Sequence, residues 1–83
     1  MKPVSYTKSA IKTLRRMPEN TAALIRTKIE LYAQDPNIQA NNVKPLKGRT
    51  GIRLRIGDWR VIMDDQGHVL AVLEIGSRGG IYD

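Results

Sequence analysis

The 83 residues carry a net charge of +6 with 41% hydrophobic content and no cysteine. That length holds one small core and a single domain spanning 1–83, and the composition is that of a globular chain, not a disordered tail. Without cysteine there is neither a disulfide framework nor a thiolate metal site, and no apolar run is long enough for a signal core or a membrane span, so a cytoplasmic protein is the expectation.

Pro3–Tyr6 reads as a short edge strand, because a proline at its start lacks a ladder donor. Thr7 then caps a helix of about ten residues, Lys8 to Met17, with Ala10, Ile11, Leu14 and Met17 on one face. Pro18 ends it. A second helix runs from about Glu19 to Gln34 on the stripe Ala22, Ile25, Ile29 and Tyr32, widened by Leu24 and Ala33. Asp35-Pro36 closes it, since the residue before proline leaves the α region. Residues 37–51 read as a connector rich in Asn, Pro and Gly.

The next stretch organises the chain. Ile52, Leu54 and Ile56 alternate with Arg53 and Arg55, the period of a strand with one buried face. Gly57-Asp58 fits a two-residue turn that wants glycine first. It sets Ile56 opposite Trp59, Arg55 opposite Arg60, Leu54 opposite Val61 and Ile52 opposite Met63. The apolar members share the core face, Trp59 among them. Arg55 against Arg60 is a pairing of like charges that weakens a sheet unless an anion meets it.

Asp64-Asp-Gln-Gly67 reads as the next turn, setting Met63 against Val69 and Val61 against Ala71. Val69, Ala71, Leu73 and Ile75 then join the core face, while Ile62, Leu70 and Val72 share the open face with Arg60 and Glu74. Those three open-face apolar residues form either a small cluster under the carboxyl-terminal tail or a site for a partner chain. The order β-α-α-β-β-β predicts an α+β fold: two amino-terminal helices on one face of a small antiparallel sheet.

Charge is concentrated. Residues 44–60 hold Lys44, Lys47, Arg49, Arg53, Arg55 and Arg60 against Asp58 alone, five of the six net positive charges. Such clustering fits a polyanionic partner, nucleic acid above all, or a solvated basic face kept for solubility. His68, the one histidine, sits beside a turn without a partner histidine, and the Asp64-Asp65 pair is turn chemistry before it is a metal site. No cofactor or metal is expected.

Three segments carry a resemblance: Leu46-Lys-Gly-Arg49; Ile52-Arg-Leu-Arg-Ile-Gly-Asp-Trp-Arg-Val-Ile62; and Ile75-Gly-Ser-Arg-Gly-Gly-Ile-Tyr82. Together they resemble the RelE/ParE toxin superfamily over nearly the whole chain. The resemblance implies a toxin of a type II toxin–antitoxin pair. In the RelE branch that means a ribosome-dependent endoribonuclease cutting mRNA; in the ParE branch, an inhibitor of DNA gyrase. It also implies an antitoxin, expected to be acidic, that wraps the toxin and closes its groove, the complex reaching operator DNA through the antitoxin. Arg53 and Arg55 match two basic residues, often lysines, of the first hairpin strand in RelE-like nucleases. Arg60 matches the arginine at the scissile phosphate, Arg78 a late arginine, and Tyr82 the carboxyl-terminal tyrosine.

Arginine at 53 and 55 holds charge and does not move protons, because guanidinium stays protonated. The expected site is therefore Arg53, Arg55, Arg60, Arg78 and Tyr82, with Tyr82 as the proton-transfer or base-stacking residue, or else an ordinary terminal aromatic on the sheet edge. Lys44, Lys47 and Arg49 are expected in a loop, as sequence-independent contacts to ribosomal RNA. The leading expectation is the mRNA endonuclease. The alternatives are a ParE-like gyrase inhibitor and a degenerate, non-toxic binding module.

Overall fold

The computed structural model describes residues 2–48 and 50–77, with residues 38–40 described by backbone alone. The chain runs β1 (Val4–Tyr6), α1 (Lys8–Arg16), α2 (Glu19–Gln34), a 3-10 helix η1 (Pro36–Asn42), β2 (Val43–Pro45), β3 (Ile52–Ile56), β4 (Trp59–Asp65) and β5 (Leu70–Ser77). The five strands form one sheet in the order β1-β5-β4-β3-β2. The α+β reading therefore holds, with two differences. The outer pair β1–β5 is parallel, and the expected connector contains η1 and the short strand β2.

Local chemistry places the helices. The Thr7 side chain accepts the Ala10 N–H, capping α1, and Arg15 and Arg16 in the last turn suit its dipole. Pro18 forces Met17 into extended backbone and opens α2, whose far end stops at Asp35 before Pro36. Ala10, Leu14 and Met17 from α1 and Ala22, Ile25, Ile29, Tyr32 and Ala33 from α2 meet Leu54, Ile56, Val61, Met63, Leu70, Val72 and Ile75 of the sheet in one core. Ile11 and Leu24, expected to extend the two stripes, are exposed instead, Leu24 by half.

The β3–β4 hairpin has the register expected from its turn, Arg55 facing Arg60 and Ile52 facing Met63. Gly57 supplies the positive φ of +58° that the turn requires. Trp59 packs against the core, half-buried.

The β4–β5 register differs from the expected one. Its loop centres on Gly67-His68, closed by Gln66 N–H to Val69 O at 2.9 Å, so β4 continues to Asp65. Met63 faces Val72, not Val69, and Val61 faces Ile75, not Ala71. An odd shift exchanges the faces of a strand, so Leu70 and Val72 are fully buried core residues. Val69, Ala71 and Leu73 are only half-buried. A bulge then restores the phase. Ile62 faces Glu74 while Met63 faces Val72, leaving Leu73 as the extra residue.

Leu73 is held in place by the helix cap: the Thr7 hydroxyl donates to Leu73 O at 2.6 Å while Thr7 N–H donates to Val72 O. Of the three apolar residues expected on the open face, only Ile62 is there, and it is fully buried outside the main core. The tail proposed to cover it lies outside the described residues.

Candidate nucleic-acid interface

Helices cover one face of the sheet. The other carries the cations, because alternation that buries Leu54, Ile56, Val61 and Met63 must turn Arg53, Arg55 and Arg60 outward. Two cross-strand rows result. In one, Lys44 on β2 faces Arg53 on β3, which faces Ile62 on β4, which faces Glu74 on β5. In the other, Arg55 faces Arg60, which faces Gly76. Facing residues lie about 5 Å apart, and the rows about 7 Å. Four cations are thus gathered with Glu74 as the one acid of these rows.

The side chains are steered, not splayed at random. Arg60 Nη1 donates to Gly57 O and to Trp59 O, both at 3.0 Å, so the turn carbonyls fix one edge of its guanidinium. Arg55 Nη2 reaches the other way, to Asn42 Oδ1 at 3.3 Å. Asn41, Asn42, Lys44, Arg53, Arg55 and Arg60 line a groove of about 330 Å³ on this face. Such a groove can bind phosphate oxygens through forked guanidinium donors. It offers charge stabilisation and positioning, and its three arginines do not move protons.

Of the residues expected at the site, Arg53, Arg55 and Arg60 come together on one face. Lys44 belongs with them, since it lies on a strand opposite Arg53 and not in a loop. Lys47 is an exposed residue of the β2–β3 connection. Arg49, Arg78 and Tyr82 lie outside the described residues. Asn42 was missed by the sequence reading, and nothing in its local pattern singles it out.

The other titratable groups do different work. His68 is exposed at the opposite end of β4, about 20 Å from the arginines by strand length. Asp65 sits at that end too, paired with Lys2 at 2.7 Å. The hydrogen bond from Lys2, then that from Gly67 N–H, holds its carboxyl below the usual range. Burial raises the phenols of Tyr6, aided by Glu30, and of Tyr32, aided by Asp65, so neither offers a phenolate near neutrality. No helix among the described residues is long and apolar enough to cross a membrane.

Comparison with known proteins matches this architecture closely. The chain is similar to RelE in the archaeal RelE–RelB complex from Pyrococcus horikoshii OT3, with a TM-score of 0.77 and 23% identity over 96% of this chain and 98% of that one. The RelB–RelE antitoxin–toxin complex from Methanococcus jannaschii gives 0.73 and 22% over 95% of each chain. The intact E. coli RelBE toxin–antitoxin complex gives 0.69 and 22% over 93% and 96%. At such identities the likeness is one of fold. No curated protein matches. Residues 4–82 match the model of the family described as "ParE toxin of type II toxin-antitoxin system, parDE". The chain belongs to that family, and so is a type II toxin–antitoxin toxin of the RelE/ParE superfamily.

Proposed function

We propose that residues 1–83 act as a single toxin domain, a ribosome-dependent endoribonuclease that cuts mRNA and so stops translation. The observation that carries this reading is the pairing of like charges on the sheet face opposite the helices, Lys44 with Arg53 and Arg55 with Arg60. A sheet that holds such pairs is relieved by a polyanion lying across them.

In this reading the 2′-hydroxyl of the substrate attacks the adjacent phosphorus and the 5′-oxygen leaves. Arg60, braced by the turn carbonyls, clamps the scissile phosphate. Arg53, Arg55 and Arg78 stabilise the charge that grows on its oxygens. Tyr82 handles a proton or stacks on a base. Lys44, Lys47 and Arg49 hold backbone phosphates of mRNA or ribosomal RNA. The three solved structures compared above are complexes with RelB. An acidic antitoxin of that kind would cover the same face in the cytoplasm and carry the pair to operator DNA.

The test is incubation of the purified chain with programmed ribosomes. Cleavage of mRNA in the decoding site, lost on Arg60→Ala and impaired by Tyr82→Phe, is the expected result. Intact mRNA overturns the reading. The family match to ParE favours a second reading, inhibition of DNA gyrase by protein binding. It predicts loss of supercoiling activity with translation untouched.

A further inference from the structure

The arginine groove does not end at Arg55. Strand β2 pairs with Ile52, Arg53 and Leu54, so among the described residues no strand lies beside Arg55 and Ile56 on that side of β3. The gap opens a cleft of about 450 Å³ between α2, η1 and the β3–β4 turn, large enough for a small ligand. It shares Asn42, Arg55 and Arg60 with the groove. The Arg55–Asn42 bond is therefore a low wall between two adjoining compartments.

The lining of the cleft has a definite chemistry. Leu24, half exposed, supplies most of the apolar surface, with only a small edge of Ile56, which is otherwise buried in the core. Lys28, half-buried on α2, brings a third cation beside Arg55 and Arg60. It makes no hydrogen bond or ion pair among the described residues. Asp58 adds a carboxylate at the turn. Apolar surface for a ring face, cations for a phosphate and an acceptor for an exocyclic amine match a nucleotide, the last as aspartate accepts from cytosine. An acidic peptide finds the cations too, but Asp58 repels its carboxylates.

We propose that this cleft is a second nucleotide subsite, which takes the nucleotide of single-stranded RNA next to the one held over Arg53 and Arg60. Lys28 is its phosphate contact, and Leu24 with the edge of Ile56 forms the floor for its base. The proposal rests on the nuclease reading for its substrate class, but it can fail separately.

The experiment is fluorescence anisotropy on the 83-residue chain with labelled 2′-O-methyl oligoribonucleotides, which cannot be cleaved, of two and four nucleotides. Lys28→Gln should weaken tetranucleotide binding roughly three- to tenfold and reduce its log–log salt slope by about 0.7, one phosphate contact. Binding of the dinucleotide, labelled without a terminal phosphate so that its single phosphate lies over Arg53 and Arg60 and none is left for Lys28, should not change, and Lys28→Arg should restore the tetranucleotide. A circular-dichroism melt shows that both variants are folded. Unchanged tetranucleotide binding overturns the proposal, as does equal weakening of both probes, the mark of a diffuse field. So does loss of binding to an oligoglutamate peptide with RNA binding intact, which would make the occupant an acidic chain.

The ribosome assay separates the two readings. Cleaved mRNA with Lys28-independent binding sinks the subsite alone. Intact mRNA with Lys28-dependent tetranucleotide binding sinks the nuclease and supports the subsite.

Discussion

Replacing Arg55 by threonine should cost the fold little and change how it responds to salt. Arg55 and Arg60 are directly opposite, an arrangement that costs up to about 1 kcal/mol when charges are alike. Here the cost is smaller, because the two heads are drawn apart: Arg60 onto the turn carbonyls at 3.0 Å and Arg55 onto Asn42 at 3.3 Å. About 0.5 kcal/mol of repulsion at low salt is a fair working figure. The Debye length shrinks from about 30 Å at 0.01 M salt to about 3 Å at 1 M, which removes most of that repulsion. For a domain of this size 0.5 kcal/mol corresponds to about 2–4 °C in Tm.

Scanning calorimetry at the two salt concentrations should therefore show the wild type gaining about 2–4 °C more than Arg55→Thr. Arg60→Thr should instead destabilise at both, since it also gives up two bonds to turn carbonyls. The double variant should reveal an unfavourable coupling that fades with salt. Equal salt responses in wild type and Arg55→Thr would refute the reasoning. The strands would then not feel the pair, and the charge argument for a polyanionic partner would go with it.

Three further expectations concern the scaffold. At Gly51 φ is +120° and an added Cβ would lie 2.8 Å from Met63 O, so Gly51→Ala should lose about 2–4 kcal/mol in urea unfolding, backbone strain and clash together. Thr7 both caps α1 and holds Leu73 O. Thr7→Ala should therefore cost about 2 kcal/mol, and Thr7→Ser far less. The depressed Asp65 carboxyl gives stability that is present above its unfolded value of about 3.9 and lost as pH falls through the lower folded value. The pair is at the surface, so Lys2→Gln should lower the unfolding free energy only slightly at neutral pH, by about a few tenths of a kcal/mol. The difference should close in strong acid; a difference that persists there contradicts the assignment.

What was legible in the sequence depended on how tightly local chemistry fixed phase. Gly57-Asp58 allows one hairpin register, and Ile52, Leu54 and Ile56 allow one buried face, so the outward row of Arg53, Arg55 and Arg60 followed directly. The second hairpin had no such anchor. Asp64, Asp65, Gln66 and Gly67 all suit a turn, and Val69–Leu73 is apolar at every position, so alternation carried no information about face. A bulge at Leu73 leaves no trace in that pattern either. Strand β2 was hidden because Asn and Pro dominate its surroundings. Pro45 is tolerated there because the strand is an edge, and Val43 beside Lys44 was the one available signal. Arg78 and Tyr82 were named only through the family resemblance, and they lie outside the described residues.

The bulge at Leu73 makes β5 two half-strands of opposite phase. The first half is keyed to the start of the chain, Leu70 N–H to Pro3 O and Val72 O to Thr7 N–H. The second is keyed to the arginine strand, Glu74 beside Ile62 and Gly76 beside Arg60. If the bulge were smoothed out with every residue retained, the far half would fall into step with the near half, turning Ile75 out among the arginines and Glu74 toward the core. Removing Leu73 would do the opposite: Val72, Glu74 and Ile75 would alternate regularly against Met63, Ile62 and Val61, with Ile75 still buried and Glu74 still on the open face. The cleanliness of the cationic face thus depends on one residue being looped out of the ladder as much as on residue identity.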